Sequence, residues 1–180
     1  MNLTKHQKIL LLGSNIQPEI NLPKAIQLLI KRFRIHKVSN VWETPAVGSD
    51  GPDFLNAAVL LDTRLSPQEL KARALRPMEV YLGRVRKSDK NAPRTIDIDV
   101  VIWGTHVLDD DIWIHTHAAV PIAELIPNIQ NLQFQGTLSQ VFQKFKAETP
   151  IRLRPDISRQ IQSLLEGIPI PCKIDQKCLV

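Results

Sequence analysis

An α+β sandwich, with helices on one face of an antiparallel sheet, is the fold this sequence predicts. Three observations carry that expectation. The first hundred or so residues read as β-α-β-β-α-β, an order that suits a ferredoxin-like arrangement. The chain has 180 residues, enough for one domain to bury its own core without a metal or disulfide staple. Hydrophobic residues make up 43% and charged residues 23%, which excludes a disordered or fibrous chain.

The elements follow in order. "KILLLGS" (Lys8–Ser14) reads as a first strand buried throughout, ended by the turn-forming Gly13-Ser14-Asn15. Over Glu19–Phe33, Leu22, Ile26, Leu29, Ile30 and Phe33 recur at helical spacing, and Pro23 is tolerable near the helix start. Arg34–Thr44 alternates loosely, as a bulged strand does, and Pro45–Asp53 is a loop by its Gly and Pro content. Phe54–Thr63 is the next strand. Ser66, Pro67 and Glu69 then form the capping box of a second helix. Leu70, Ala74, Met78 and Leu82 line one face of it, Gly83 closes it, and Pro77 predicts a kink. Thr95–Gly104 is a strand. Beyond it come an irregular stretch, a short helical turn around Pro121–Leu125 and a helix over Leu138–Phe145. The domain is expected to span 1–149, with 150–180 as a C-terminal extension whose piece Ile157–Leu165 is amphipathic.

The longest apolar run, Ile9–Leu12, is far short of the ~20 residues of a membrane helix. The polar, basic start lacks a secretory signal pattern, so a cytoplasmic protein without a membrane partner is expected. Cys172 and Cys178 are no disulfide framework and read as plain tail thiols.

Lys and Arg exceed Asp and Glu by 23 to 18, giving a net charge of +5. Much of the excess falls in one stretch, where Arg84, Arg86, Lys87, Lys90 and Arg94 precede Asp97 and Asp99. In "TIDIDVV" side chains two apart share a strand face, so the two carboxylates sit side by side, ~7 Å apart at the backbone. Ile96, Ile98 and Val100 point the other way. Paired carboxylates on a rigid strand suit Mg²⁺, which takes hard oxygen ligands and usually shares them with substrate phosphates. Arginine's planar fork matches phosphate oxygens in pairs. A basic run feeding into paired acids therefore suits a polyphosphate with divalent cations better than it suits nucleic acid. An RNA-binding version of this fold would place aromatic residues on the central strands, yet "KILLLGS" has none. No nucleic-acid partner is expected.

"GRVRKSDKNAPRTIDID" (Gly83–Asp99) resembles the signature of the 6-hydroxymethyl-7,8-dihydropterin pyrophosphokinase family of folate biosynthesis. "LLGSN" (Leu11–Asn15), "SNVWETPAVGSDGPDFLNAAV" (Ser39–Val59) and "VPIAELIPN" (Val120–Asn128) resemble its other conserved-type stretches, in the family's order. The resemblance covers most of residues 8–130. It implies transfer of pyrophosphate from ATP to the pterin's hydroxymethyl oxygen with two Mg²⁺ ions, small-molecule substrates as the partners, and a monomer or weak oligomer. It further implies that Asp97 and Asp99 hold both ions. Arg84, Arg86 and Arg94 would grip the ATP phosphates, with Arg84 or Arg86 closing in on a mobile loop. Glu79, Ile98 and His115 join them at the nucleotide. Thr44, Pro45, Val47, Phe54, Asn56 and His117 would form the pterin pocket, with Phe54 flat against the ring.

One segment departs from the family pattern. Between the expected histidine and Pro121, "DDDIWIHTHAAVPIAELIPN" (Asp109–Asn128) is shorter by about half a dozen residues and lacks an arginine. His117 falls where the family carries a stacking aromatic. His115 falls either at the phosphate-side histidine or in the arginine's place. Asn91 stands where many members have tryptophan. A divergent relative acting on another reduced pterin, or a non-catalytic basic binding module, are the alternatives this leaves.

Overall fold

The computed structural model describes residues 3–46, 51–86, 89, 92–131 and 136–167. Val47, Lys87, Lys90, Asn91, Cys172 and Cys178 lie outside the described residues, and so does the role expected of Val47. Strand β1 (Gln7–Ser14), helix α1 (Pro18–Arg32), β2 (Arg34–Val38), β3 (Trp42–Thr44) and β4 (Phe54–Asp62) open the fold. A continuous helical stretch follows, made of α2 (Pro67–Leu70), a π turn (Lys71–Leu75) and α3 (Arg76–Tyr81). Then come β5 (Asp97–Trp103), β6 (His106–Val107), α4 (Asp111–Ile114) and α5 (Thr116–Leu125). β7 (Gln130–Asn131), β8 (Gly136–Thr137), α6 (Leu138–Glu148), β9 (Arg152–Leu153) and α7 (Pro155–Glu166) complete it.

The main sheet runs β6-β5-β1-β4-β3-β9, with β2 also on β4, and its pairs are antiparallel. This is the ferredoxin-like βαββαβ order with additions at the C-terminal end. The bulge expected in Arg34–Thr44 takes the form of two strands, β2 and β3, with a register shift between Ile35 and Lys37. The capping box at Ser66 and Glu69 forms in both directions. The kink expected at Pro77 is instead a π turn just before it, in which the Arg76 N–H donates to the Lys71 carbonyl. Proline's ring crowds the carbonyl four residues back, and a wider turn relieves that contact. Gly83, at φ 79°, closes the helix.

Two expectations need correction. Helices cover both faces of the sheet, not one. Leu10, Leu12, Ile98, Leu55 and Val59 pack in a core with α1, α3 and α7 residues such as Leu29, Met78 and Ile161. Ile9, Ala58 and Leu60 pack on the opposite side with Trp113, Ala119 and Ile122. β1 is apolar without alternation because each of its faces meets a helix layer. The helix around Pro121 begins at Thr116 rather than Pro121, because Ala118, Ala119 and Ile122 supply an apolar stripe against the sheet. The proline sits inside it, without an N–H to give the helix. In the extension after residue 150, β9 pairs with β3, and Ile157 and Ile161 enter the core beside α1.

Ile161 is 1% exposed, so Ile161→Ala is expected to lower the free energy of unfolding by about 2–5 kcal/mol. Urea denaturation followed by tryptophan fluorescence measures this. An unchanged midpoint would mean that α7 docks without supporting the domain.

Candidate active site

Strand register decides which side chains meet. On β1, Leu11 lies opposite Asp99, and Gly13 lies opposite both Asp97 and Asn56. On β3, Trp42 lies opposite Asn56 and Thr44 opposite Phe54. Directly paired residues share a face, so Asp97, Asp99, Leu11, Gly13, Asn56, Phe54 and Thr44 all project from one side of the sheet. Ile98, one residue out of phase, is fully buried in the core on the other side. The shared side is the one α4 and α5 cover, and where that cover stops a cavity of about 370 Å³ opens. His115, His117, Asp109 and Asp111 close it from the α4–α5 end, and Pro45 and Arg94 from the rim. The structure thus brings Thr44, Pro45, Phe54, Asn56, Arg94, Asp97, Asp99, His115 and His117 together in one place.

The turn after β1 shapes this cavity. A Cβ on Gly13 would stand 3.1 Å from Asn56 Oδ1 and 3.6 Å from a Phe54 ring carbon, so glycine there leaves both side chains their room. Ser14 Oγ donates to the Thr95 carbonyl at 2.6 Å, and Asn15 Oδ1 accepts the Arg94 N–H at 2.7 Å. Asn15 also donates to the Pro52 carbonyl, which ties the loop before Phe54 to the segment before β5. "LLGSN" therefore acts as a latch between the two sides of the cavity. Asn56 is buried and donates to Thr44 Oγ1 at 3.0 Å.

Asp97 and Asp99 hold cations of their own chain. Arg84 Nη1 lies 2.8 Å from Asp97 Oδ1, Arg94 Nη1 2.6 Å from Asp97 Oδ2, and Lys71 Nζ 2.7 Å from Asp99 Oδ1. Hard carboxylate donors, paired on one face and already in contact with positive groups, fit divalent cations. Among the described residues no three His, Cys, Asp or Glu groups are arranged to hold a metal by themselves. Substrate phosphates and water would have to complete any ion's shell.

Glu79 organises the arginines. It is 2% exposed, not the surface glutamate that a helix position might hold. One carboxylate oxygen accepts the Ile98 N–H at 3.0 Å, and the other meets Arg86 Nη2 at 3.0 Å and Arg84 Nε at 4.0 Å. Arg84 also donates to the Ile96 carbonyl at 2.6 Å. The two side chains thus take one N–H and one carbonyl at the start of the outer edge of β5, where β6, paired only with Ile102 and Trp103, does not reach. Burial pushes the Glu79 carboxyl above its ordinary range, although the Ile98 N–H and Arg84 pull it down. Any nucleotide contact by Ile98 would fall to its carbonyl, since its side chain is in the core and its N–H is taken.

Arg84 lies in the segment between α3 and β5, its side chain 11% exposed and held between Glu79, Ile96 and Asp97. Arg86, 59% exposed, is held at one end by Glu79. A second cavity of about 360 Å³ lies among Arg84, Arg86, Arg94, Asp89 and Pro93. Arg94 lines both cavities, and its guanidinium carbon stands 5.9 Å from the Phe54 ring centre.

His115 and His117 stack, with ring centres 5.4 Å apart and 21° between planes, because one precedes α5 and the other lies in its first turn. Reading the sequence left several cavity residues without a role: Leu11, Gly13, Asp109 and Asp111, and Lys71 beside Asp99. The acidic run at Asp109–Asp111 was a signal. For Lys71 there was none, since only the π turn shows where it reaches.

Fold and site define a class: a ferredoxin-like α+β domain with a paired-carboxylate, arginine-rimmed cleft on its sheet. Within it, the chain belongs to the family described as 7,8-dihydro-6-hydroxymethylpterin-pyrophosphokinase (HPPK), whose profile matches residues 9–127. A 2-amino-4-hydroxy-6-hydroxymethyldihydropteridine pyrophosphokinase of Aquifex aeolicus is 30% identical over 78% of this chain and 91% of its own length. The protein of the same name from Synechocystis is 30% identical over 77% of this chain and 76% of its own. A mitochondrial folate synthesis bifunctional protein of Pisum sativum is 36% identical over 62% of this chain, which spans only 22% of that longer protein. A crystal structure of Plasmodium falciparum HPPK-DHPS with pterin and p-hydroxybenzoate shares the fold at a TM-score of 0.60 and 12% identity, over 82% of this chain and 43% of that one.

Burial, and then the neighbouring His115, lower the His117 pKa from its ordinary 6.5, while Asp111 and Asp109 oppose them. As the pH falls, the unfolded chain takes up this proton before the folded one does. The stability held above the ordinary value is then lost as the pH drops through the folded one. Urea midpoints measured from pH ~7.5 down to ~5 should fall for the native chain and fall less for His117→Gln. Parallel profiles would remove His117 as the cause.

Proposed function

We propose that the chain transfers pyrophosphate from ATP to 6-hydroxymethyl-7,8-dihydropterin, giving the pterin diphosphate and AMP. The observation that carries this reading is the adjacency of two cavities sharing Arg94. One is lined by Asp97, Asp99, Phe54 and Asn56, the other by Arg84 and Arg86. The first suits a flat heterocycle bearing amide-like edges. Phe54 offers a ring face, Asn56 an amide with both donor and acceptor, and Thr44 and Pro45 main-chain groups beside it. The second suits the phosphates of a nucleotide, since arginine stays charged and binds oxygen pairs.

The hydroxymethyl oxygen would attack the β-phosphorus as the bond to the α-phosphate's bridging oxygen breaks, so that AMP leaves and the hydroxyl proton goes to solvent. No strong base is needed, because phosphoryl transfer rests mainly on positioning and on charge complementary to the transition state. Arg84, Arg86 and Arg94 supply that charge, and Glu79 keeps the first two aimed. Asp97 and Asp99 would hold two Mg²⁺ ions, which when bound neutralise charge on the phosphate oxygens. His117, stacked with His115, would cover the pterin face away from Phe54. The short Asp109–Asn128 segment leaves a second reading, action on another reduced pterin. A cytoplasmic site of action belongs to this proposal, supported by the bacterial relatives of similar length, and so does a monomer or weak oligomer.

Mixing the protein with ATP, Mg²⁺ and 6-hydroxymethyl-7,8-dihydropterin should release AMP together with the pterin diphosphate. AMP at the level of a pterin-free control would remove this substrate, and a panel of reduced pterins then tests the second reading. Asp97→Ala and Asp99→Ala should each lower turnover at least ~100-fold while the far-ultraviolet spectrum stays native. Near-normal rates in either would contradict their role. Arg86→Ala should cut kcat by roughly 10²–10³ and leave pterin affinity by calorimetry unchanged. An equal loss of pterin binding would place Arg86 in the other cavity.

A further inference from the structure

Lys71 is the cation at this site that the proposed chemistry does not use. Its Nζ lies 2.7 Å from Asp99 Oδ1, with side-chain exposures of 40% and 44%, so the pair stands at the rim rather than in the core. The π turn puts it there. Lys71 opens that turn, and its carbonyl accepts from the Arg76 N–H, five residues on, where an ordinary helix would use residue 75. Leu70, Ala74, Leu75 and Met78 keep the helix's apolar side in the core. Lys71 is thereby left facing the open edge of β5, over which its side chain reaches Asp99. The two carboxylates are thus served unequally: Asp97 is gripped by two arginines, Asp99 by one flexible ammonium.

We propose that Lys71 is a positioning residue that stands in for a divalent cation on Asp99 and thereby sets how tightly Asp99 takes that cation. This rests on the reading of Asp97 and Asp99 as cation ligands. An ammonium in contact with Asp99 Oδ1 and a divalent ion on the same carboxylate repel each other. The lysine has to swing away when the ion arrives, which its four-carbon stem allows. Until then it keeps the carboxylate aimed into the cavity. The cost of displacing it lowers the affinity of the nucleotide-free protein for the ion.

The experiment titrates the full chain with Mn²⁺ alone, without nucleotide, and reads free Mn²⁺ by electron paramagnetic resonance. Four proteins are compared: the native chain, Lys71→Met, Lys71→Arg and Asp99→Asn. Lys71→Met should bind Mn²⁺ about two- to fivefold more tightly than the native chain, the range expected for losing a half-exposed ion pair. Lys71→Arg, which keeps the charge, should stay near the native value, and Asp99→Asn should lose the binding. A merely structural role for Lys71 would shift thermal unfolding in both lysine variants without separating their Mn²⁺ affinities. Equal or weaker binding by Lys71→Met, with Asp99→Asn still losing it, overturns this proposal alone. Undiminished binding by Asp99→Asn, or no binding by any of the four, overturns the cation reading of the site along with it.

Discussion

Two carboxylates facing the same way from one strand form a constraint to which the surrounding structure answers. Left alone, they would repel one another beside a half-covered apolar sheet. Arg84 and Arg94 each hold one oxygen of Asp97, and Lys71 comes over the strand edge to Asp99. Each of these cations is positioned in turn. Glu79 and the Ile96 carbonyl hold Arg84, and Asn15 holds the main chain of Arg94. Substrate phosphates and divalent ions would therefore exchange places with groups already present, rather than fill a vacuum of charge.

The same constraint accounts for the layout of the cleft. Antiparallel register carries the acidic face of β5 across β1 to β4 and β3, so Gly13, Asn56, Phe54 and Thr44 arrive beside the aspartates without any loop having to reach. The second helix layer packs on this face over its apolar half, around Ile9, Ala58 and Leu60, and ends where the polar side chains begin. His115 and His117 sit at that boundary. Their position is set by where α5 starts, which depends on the apolar fit of Ala118, Ala119 and Ile122 more than on the histidines themselves.

Much of this could be read from the residues. The period-two placement of Asp97 and Asp99, the capping box at Ser66 and the strand over Phe54–Asp62 depend on local spacing, which a sequence displays directly. What could not be read depends on distant partners. The apolar run of β1 shows that both faces are buried without showing which helices bury them. The short helical turn expected around Pro121–Leu125 is carried back to Thr116 by packing against the sheet. Ile157 and Ile161 formed an amphipathic stripe with no visible mate until α1 supplied one. Glu79 could pass for a solvated helix residue, because nothing in its neighbourhood along the chain reveals that Ile98 and two arginines close over it.

The ends of the sheet have a consequence for how copies of this chain behave in a crowded solution. β6 and β9, at the two ends of the main strand order, are two residues each, and beside the bare stretch of β5 Glu79 takes the Ile98 N–H and Arg84 the Ile96 carbonyl. At these two ends few backbone rungs are left on which a neighbouring molecule could zip itself, whereas among the described residues β2 pairs with β4 alone and keeps one edge. Glu79 and Arg84 thus also guard the β5 end of the sheet against ribbon-like self-association.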